Sequence, residues 1–346
     1  MNILLNKNLR PFNSFSIDVN ADVIIEANSI NDFIDIWSND DYRSSIKLPL
    51  GRGSNTLFCN DFSGVIVLNR ILGKEVTETE TDYLLSISSG EDWPSFVKWC
   101  VEHNYNGIEN LAMIPGCVGS APIQNIGAYG LEFKDVCDYV EYLDLDSLNI
   151  KRLSKSECNF GYRDSIFKKS LKDKVIITSV GFKLSKSWAP LLTYGPLADL
   201  GSVVGVTAES VFKAICDIRS LKLPNPEVLG NAGSFFKNPI VSDECYLKLS
   251  KKFPTLPAYT VSDGKKIAAG WLIDHAGLKG FSINDAQVHK EQALVLINNG
   301  NATSKDILEL ARHVQKTIFD IYHIELEHEV RFYFSGKETS LSELFE

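Results

Sequence analysis

Two glycine-rich segments of the chain have the composition of loops that hold phosphate groups. The first is Gly51-Arg-Gly-Ser-Asn55, and the second covers residues 114–130. Glycines let the backbone come close to a ligand, and successive N–H groups in such turns converge on an anion. The serine, glutamine and asparagine side chains of both segments add neutral hydrogen-bonding groups, which suit a pyrophosphate or the edge of a heterocycle better than a metal.

Neither segment matches a common nucleotide-binding fingerprint. Thr56 stands where the pattern that begins Gly51-x-Gly53 requires a third glycine, and the sequence predicts no long helix directly after it. No Walker A motif is present. An ordinary surface loop therefore stays the favoured interpretation of residues 51–55 taken alone. A structureless loop as long as 114–130 is uncommon inside a compact domain and is often functional.

A run of acidic residues near the C-terminus offers a second kind of chemistry. Strict alternation over residues 324–334 predicts a strand that places Glu325, Glu327, Glu329 and Arg331 on one face. If that face is covered, repulsion between carboxylates about 7 Å apart raises the pKa of at least one of them. A covered glutamic acid beside an arginine suits proton delivery or enolate stabilisation. A solvated outer face is the commoner fate of such charges, and on the pattern alone it is favoured.

Four single residues outside these segments are candidates for chemistry or binding. Ser234 lies between a glycine and two aromatic residues, without the G-x-S-x-G context of an acyl-transfer nucleophile, so it could donate a proton or simply bond its own backbone. Arg163 follows a glycine turn, Tyr194 lies in a loop between two prolines, and Lys222 precedes Leu-Pro. A surface ion pair, a half-exposed aromatic and a solvated lysine explain these three equally well.

Composition limits the classes of protein to which the chain can belong. Its 346 residues carry 35 Lys+Arg and 44 Asp+Glu, so the net charge is 35 − 44 = −9 and no basic surface for nucleic acid is expected. Hydrophobic content of 44% and charged content of 23% are ordinary for a folded protein. Seven scattered cysteines without a CxxC pair predict reduced thiols in a cytoplasm and no metal site.

No segment predicts membrane targeting. The N-terminal residues lack the apolar core of a signal peptide. The longest uncharged stretch, residues 110–131, is interrupted by prolines and glycines and cannot span a bilayer as a helix.

Helix and strand patterns alternate along the chain, which indicates an α/β or α+β protein. Amphipathic spacing predicts helices over 30–37, 92–104, 208–220, 267–276 and 304–322. Apolar runs predict strands over 46–50, 65–69, 136–145, 174–184, 292–298 and 324–334. Two prolines within residues 223–226 end the third helix and mark a domain boundary.

Taken in order, the segments resemble the UDP-N-acetylenolpyruvoylglucosamine reductase family. Each matching motif is short, but the ordered series is specific and covers nearly the whole chain. The motifs are Asn13-Ser-Phe15, Gly51-Arg-Gly-Ser-Asn55, residues 114–130, Gly161-Tyr-Arg163, Leu192-Thr-Tyr194, residues 230–239, Ala269-Gly-Trp-Leu-Ile-Asp274 and residues 327–331.

The chain departs from the family pattern at a few positions. Ser14 and Ser16 stand where many relatives have Thr and Gly. His328 stands where proline usually precedes the acidic residue, here Glu329. These departures concern loop detail rather than the chemistry that the resemblance implies.

The resemblance implies an α+β fold with two parts. Residues 1–70 and 71–223 would form the two subdomains of an FAD-binding fold of the vanillyl-alcohol-oxidase/PCMH type, and residues 224–346 a separate substrate-binding domain. FAD would be bound noncovalently and reduced by NADPH. The loop around Tyr194 resembles the form of the family in which a tyrosine closes over the nucleotide.

The resemblance also implies a reaction and its residues. Hydride passes from flavin N5 to C3 of the enolpyruvyl group of UDP-N-acetylglucosamine enolpyruvate, Arg163 and Glu329 stabilise the resulting enolate, and Ser234 protonates C2, giving UDP-N-acetylmuramate for peptidoglycan. The implied FAD-binding residues are Gly51, Arg52, Gly53, Ser54, Asn55, Pro115, Gly116, Gly119, Ser120, Gln124, Asn125, Gly127 and Ala128. The implied substrate-binding residues are Tyr129, Tyr194, Lys222, Asn238, Gln292 and Arg331. The expected protein is a cytoplasmic monomer that binds small molecules only.

Two other functions stay open at this point. Another flavoenzyme with the same cofactor fold, such as an oxidase of sugars or alcohols, would keep the glycine-rich loops but need neither Ser234 nor the Tyr194 loop. A nucleotide-sugar-binding protein that has lost catalysis would keep Tyr194 and Lys222 but could spare Ser234 and Glu329. All these residues are present, which favours the reductase.

Overall fold

The structure is a computed structural model and describes residues 1–345. The α-helices are α1 (Ile30–Ser38), α2 (Trp93–Glu102), α3 (Phe133–Val136), α4 (Ala208–Lys222), α5 (Asp243–Lys252), α6 (Ala269–His275), α7 (Ser304–Tyr322) and α8 (Leu341–Phe345). The strands are β1 (Asn2–Asn8), β2 (Asn20–Ala27), β3 (Lys47–Leu50), β4 (Thr56–Phe58), β5 (Phe62–Asn69), β6 (Lys74–Glu78), β7 (Asp82–Ser88), β8 (Gly127–Ala128), β9 (Leu131–Glu132), β10 (Cys137–Asp144), β11 (Ile150–Ser154), β12 (Val175–Ser185), β13 (Gly230–Ser234), β14 (Ile240–Val241), β15 (Ala258–Val261), β16 (Gly264–Ile267), β17 (Ser282–Ile283), β18 (Ala286–Val288), β19 (Val295–Asn298), β20 (Arg331–Phe334) and β21 (Lys337–Thr339).

The chain forms two compact units, each assembled from separate segments. The first unit consists of residues 1–5, 22–52 and 64–221. The second consists of residues 6–21, 53–63 and 222–346. The division into 1–70, 71–223 and 224–346 stays a prediction.

The five predicted helices form where their sequence signals place them. Ser29 caps α1 by accepting a hydrogen bond from the Asp32 N–H at 3.1 Å. Helix α4 ends at Lys222, immediately before the Leu-Pro pair that cannot continue it. Gly277 follows α6 with φ of +74°, the left-handed conformation that commonly ends a helix.

The first unit contains two large sheets and the two-stranded sheet β8-β9. One has strand order β1-β2-β5-β3, in which β3 runs parallel to β5 and most residues belong to this unit. The other is antiparallel, with order β11-β10-β12-β7-β6. Helix α2 supplies buried aromatic residues to the core of this unit. Trp93 and Phe96 lie against Phe182 of β12, with ring centroids 6.2 and 4.9 Å from that of Phe182.

The second unit contains three smaller sheets. Helix α7 packs against the sheet of order β13-β19-β18-β17 through its buried face. Strands β14, β16 and β15 form a second sheet, and β21, β20 and β4 a third. In the third sheet β20 and β4 are parallel and pair Arg331 with Thr56, so residues from the first and last parts of the sequence share one ladder.

One predicted strand is wrong over most of its length. The residues before Arg331 are not a regular strand: His328 makes a single isolated bridge to Phe236, and a bend follows at Val330. Glu325 and Glu327 are exposed as alternation predicts, whereas Glu329 is half-buried. Leu326, Val330 and Phe332 are still buried, as alternation predicts, so the regular strand is absent although the pattern of burial is kept.

Across residues 1–345, none of the helices combines the length and the apolar character needed to cross a bilayer.

The turn over residues 9–17 depends on the buried side chain of Asn13. Its amide donates to the carbonyls of Leu9 at 2.8 Å and Ile17 at 3.1 Å, and its oxygen accepts from the Ile17 N–H at 3.0 Å. Because Asn13→Leu removes all three bonds and leaves the buried Ile17 N–H without this acceptor, we expect the free energy of unfolding to fall by about 3 kcal/mol in denaturant titrations.

Asn301→Leu is the matched control, because Asn301 is exposed. We expect its free energy of unfolding to change by less than about 0.5 kcal/mol. Equal stability of Asn13→Leu and Asn301→Leu would show that this bonding network does not hold the turn.

Candidate active site

In the first unit the two glycine-rich segments lie directly against each other. A Cβ atom on Gly51 would come within 2.5 Å of the Cys117 Sγ, so only glycine permits this approach. Arg52 lies 3.7 Å from the Asp92 carboxylate. The sequence predicted each segment separately, and their contact through the buried Cys117 was not foreseen. Burial raises the pKa of the Cys117 thiol, which keeps it protonated at neutral pH.

The second segment is fixed to the core of the first unit by main-chain hydrogen bonds. The Trp93 N–H at the start of α2 donates to the Gly116 carbonyl at 3.0 Å, and the Gly119 N–H donates to the Ser89 carbonyl at 2.8 Å. A Cβ on Gly119 would lie 2.5 Å from the Ser89 Cβ. These contacts make residues 114–130 a supported loop rather than a free one.

Three predicted site residues of the first unit have left-handed backbone conformations. The φ angles are +44° at Asn125, +48° at Tyr129 and +54° at Arg163. Such angles are uncommon for residues other than glycine and gather at functional sites. The Arg163 guanidinium donates to the Gly127 carbonyl at 3.3 Å, and the Asn125 amide donates to the Gly161 carbonyl at 2.9 Å. The predicted catalytic arginine therefore lies beside the end of the glycine-rich loop.

Tyr129 and Tyr194 meet edge to face in the first unit, with ring centroids 5.7 Å apart. Tyr194 is 46% exposed, consistent with a loop aromatic. The sequence analysis missed a third member of this cluster, Arg219. Its guanidinium lies near Tyr129 and donates to the Met113 carbonyl at 3.2 Å, and its buried Nε has no hydrogen-bond partner among residues 1–345. Burial raises the pKa of Tyr129, while the nearby guanidinium of Arg219 opposes that rise. The amphipathic pattern of α4 does not indicate that Arg219 contacts Tyr129, which lies 219 − 129 = 90 positions earlier in the sequence.

In the second unit Ser234 and Glu329 are joined through one main-chain hydrogen bond. The Glu329 N–H donates to the carbonyl of Phe235, the residue after Ser234, at 2.8 Å. The Lys237 N–H donates to the Glu327 carbonyl at the same distance of 2.8 Å, which completes a short bridge. Two residues that are 95 positions apart in sequence are thus brought close.

A bulge in β13 turns the Ser234 side chain outward. The register with β19 shifts between Asn231 and Ser234, and Gly233 has φ of +72°. The Asn231 side chain holds this shape by accepting from the Gly233 N–H at 2.9 Å. Ser234 is exposed while Phe235 is fully buried. Bulges commonly redirect a side chain beside an active site, and Asn231 is a supporting residue that the sequence analysis missed.

Asn55 connects the first glycine-rich segment to the Glu329 region within the second unit. Its side-chain amide donates to the Glu329 carbonyl at 3.1 Å, and its own carbonyl accepts from the Arg331 N–H at 3.1 Å. Asn55 was predicted to bind cofactor. The structure gives it a further role, since it holds the main chain on both sides of Val330.

The rest of the first segment also has contacts in the second unit. Gly53 has φ of +60°, and a Cβ there would lie 2.0 Å from the Phe12 carbonyl oxygen. The Ser14 hydroxyl donates to the Ser54 carbonyl at 3.1 Å. The Asn13-Ser-Phe15 motif therefore supports this turn.

The other predicted substrate residues of the second unit have these positions. Lys222 is exposed at the end of α4. The Asn238 side-chain oxygen accepts from the Ala269 N–H at 2.9 Å, which gives the first N–H group of α6 a hydrogen-bond partner. The main-chain carbonyl of Gln292 accepts from the Val295 N–H at 3.0 Å. The Arg331 guanidinium forms an ion pair with the Glu338 carboxylate, with an N–O distance of 2.7 Å. Their contact with substrate stays a prediction.

The remaining predicted cofactor residues differ in exposure. Gly116 is buried with φ of +133°, and Pro115 is exposed. Ser120, Gln124 and Ala128 are half-buried. Close-packed glycines beside neutral hydroxyl and amide groups fit a nucleotide pyrophosphate and heterocycle, so the donor set is suited to FAD.

Comparison with known families defines the class. Residues 21–147, which include both glycine-rich segments, match an FAD binding domain. Residues 225–333 match the UDP-N-acetylenolpyruvoylglucosamine reductase C-terminal domain. The protein is thus an FAD-dependent oxidoreductase of α+β fold, with an FAD-binding part and a separate C-terminal domain, as predicted.

Similar proteins identify the family. Relatives from Aliivibrio fischeri, Photobacterium profundum and Vibrio cholerae are 67%, 54% and 50% identical over 100%, 99% and 99% of this chain and 99%, 99% and 98% of their own. All three are named UDP-N-acetylenolpyruvoylglucosamine reductase. This chain belongs to that family. The fold is also that of the reductase (MurB) from Thermus caldophilus, with a TM-score of 0.67 and 21% identity over 96% of this chain and 98% of the other.

Gly119→Ala tests whether the packing of the second segment is needed for FAD. The added methyl group meets the main chain and Cβ of Ser89, which cannot move without shifting the sheet, so the loop must be displaced. We expect the purified variant to lose most of its flavin absorbance and the free energy of unfolding to fall by about 1–3 kcal/mol.

Gly201→Ala is the control for this variant, because no atom lies within 4 Å of a Cβ at Gly201. It should keep its flavin content and its stability. Full FAD occupancy in Gly119→Ala would contradict the assignment of this loop to the cofactor.

Proposed function

We propose that this chain catalyses the NADPH-dependent reduction of UDP-N-acetylglucosamine enolpyruvate to UDP-N-acetylmuramate, a step of peptidoglycan synthesis. The observation that carries the proposal is 67% identity over the full length to a relative named as this reductase. The connection of Ser234 to Glu329 through Phe235 supports it from the site, because the reaction needs a proton donor and a charge-stabilising group close together.

Bound FAD would supply the hydride to C3 of the enolpyruvyl group after accepting it from NADPH. The chain itself then has two tasks at the substrate. The Ser234 hydroxyl gives its proton to C2, so that one hydride and one proton saturate the double bond. Ser234 suits this task because the bulge of β13 leaves its side chain exposed on a rigid, buried support.

Arg163 and Glu329 stabilise the negative charge that develops on the substrate. The Arg163 guanidinium is permanently charged and is held beside Gly127 by its strained backbone and its hydrogen bond. Glu329 must carry its proton to donate to an enolate, and its side chain is half-buried. Fixed donors directed at developing charge commonly supply a large share of catalysis.

Tyr129, Tyr194, Lys222, Asn238, Gln292 and Arg331 are proposed to bind the nucleotide and the substrate carboxylate. The pairing of Tyr129 with Tyr194 and the positive charge of Arg219 beside them support an anionic ligand at this place in the first unit. A cytoplasmic monomer belongs to the same proposal. The seven free cysteines, all within the described residues, support a reducing compartment.

An oxidase of sugars or alcohols on the same cofactor fold is the weaker candidate. The match of residues 225–333 to the reductase C-terminal domain favours the reductase over it. Anaerobic reduction by NADPH followed by addition of UDP-N-acetylglucosamine enolpyruvate separates the two, because only the reductase recovers its oxidised flavin spectrum in this experiment.

Ser234→Ala should affect one half-reaction only. Because it removes the proton donor to C2, we expect recovery of the oxidised spectrum on adding the enolpyruvyl substrate to slow by about 10²–10⁴-fold in stopped-flow absorbance. Bleaching by NADPH should keep the wild-type rate. Ser282→Ala, which changes an exposed serine of β17, is the control and should leave both rates unchanged. Two unaffected half-reactions in Ser234→Ala would remove the proton-donor role.

Glu329→Gln should impair the same half-reaction while FAD content stays at the wild-type level. The amide keeps the size of the side chain, but it cannot carry the acidic proton that the enolate requires. Flavin absorbance at purification and stopped-flow reoxidation measure the two properties. Loss of FAD from this variant would show that Glu329 belongs to the cofactor site instead.

A further inference from the structure

His328 makes an unusual local contact that spans Glu329. Its Nδ1 lies 2.7 Å from the carbonyl oxygen of Val330, two residues further along the chain. The bond therefore closes a small ring of atoms that contains the whole main chain of Glu329. A carbonyl can only accept, so Nδ1 carries the hydrogen. Burial lowers the pKa of His328, so the ring is neutral at pH 7. Its Nε2 then carries no hydrogen and can only accept a hydrogen bond.

The imidazole of His328 is itself fixed in place. It stacks on the ring of Phe332 with centroids 4.3 Å apart and planes 20° from parallel. Phe332 is fully buried in β20. The imidazole thus has a rigid support on one side and a hydrogen bond at its edge, which leaves it little freedom to rotate.

With these contacts the main chain of Glu329 is held at three points. Its N–H donates to the Phe235 carbonyl at 2.8 Å, its carbonyl accepts from the Asn55 amide at 3.1 Å, and His328 closes the bend around it. The first two bonds fix the peptide groups on either side. The third joins the side chain of residue 328 to the carbonyl of residue 330, so it resists a change in the bend between them, and this bend helps to decide where the Glu329 side chain points.

We propose that His328 is a positioning residue for Glu329, setting the direction of its carboxyl group through the hydrogen bond from Nδ1 to the Val330 carbonyl. The inference rests on the proposed role of Glu329 in the substrate half-reaction. The histidine fixes the bend by a hydrogen bond, where a proline would fix it by its ring. A proline is compatible with this place, since the bridge hydrogen bonds use the Glu327 carbonyl and the Glu329 N–H and leave the His328 N–H outside the ladder.

Three substitutions at position 328 separate a positioning role from simple packing. His328→Leu keeps an apolar group against Phe332 but has no donor, and we expect it to slow the substrate half-reaction by about 10- to 100-fold, with NADPH reduction and FAD content unchanged. His328→Asn keeps a donor near the Nδ1 position, and His328→Pro fixes the bend covalently. Both should retain rates within about threefold of wild type, well short of the loss that misplacement causes.

His103→Leu is the matched control. The His103 Nδ1 hydrogen-bonds the Trp99 carbonyl at 2.8 Å, and its ring stacks on that of Tyr105 with planes 17° from parallel. His103→Leu therefore removes the same kinds of contact as His328→Leu, but in the first unit. We expect no change in either half-reaction. If His103→Leu slowed the substrate step as much as His328→Leu, a general loss of stability rather than positioning would explain the result, and the proposal would be overturned.

The double variant His328→Leu/Glu329→Gln tests whether the histidine acts through the glutamate. If it does, His328→Leu slows the substrate half-reaction far less in the Glu329→Gln background than in the wild type, because the effects of substitutions at coupled residues do not add. Full additivity would overturn the proposal. Amide hydrogen exchange at Glu329 gives a readout independent of turnover, and it should speed up in His328→Leu but not in His328→Asn.

The outcomes also distinguish this inference from the proposed function. A normal substrate half-reaction in His328→Leu, with a slow one in Glu329→Gln, defeats the positioning role and leaves the reductase assignment standing. A normal half-reaction in Glu329→Gln removes the role of Glu329 and the inference with it.

Discussion

The arrangement of the C-terminal catalytic candidates depends on one main-chain hydrogen bond, from the Glu329 N–H to the Phe235 carbonyl. Ser234 and Glu329 lie on segments that are far apart in the chain. The first is a bulge in β13, and the second is an irregular segment before β20. The bond makes the position of one depend on the other. Since the aromatic side chains of Phe235 and Phe236 are buried directly behind it, the link is anchored in a core that resists movement.

In the first unit, steric exclusion has the corresponding role. Gly51 and Gly119 allow the chain to approach Cys117 and Ser89 more closely than any side chain would permit. The glycines therefore have two roles. They let these segments pack closely against their neighbours, and they leave the main-chain N–H groups accessible to a nucleotide. The two functions reinforce each other, because a loop that is packed from behind can present its N–H groups in a fixed direction.

The sequence was sufficient to predict features that follow from local periodicity and capping. Helix α7 begins and ends at the predicted residues because its apolar stripe and its Thr303 cap both lie within one continuous stretch. The strand predicted over 324–334 was wrong before Arg331, because alternation reports which side chains face the core and not whether the main chain pairs with a neighbouring strand. The ordered motifs were enough to recognise the family. Arg219 became visible only when a long-range contact brought it to Tyr129, and Asn231 only when the turn at Gly233 formed around its side chain.

The segmented composition of the second unit constrains how this protein can be divided. Strand β20 has β4 as its parallel neighbour, and Asn55 holds the chain beside it, so residues 53–63 complete a sheet that otherwise consists of C-terminal residues. A fragment that starts at Lys222 would carry an unsatisfied strand edge, the kind of surface on which chains aggregate. Recombination between homologues would therefore need to transfer residues 6–21 and 53–63 together with the segment that begins at Lys222, although 222 − 63 = 159 positions separate residue 63 from Lys222.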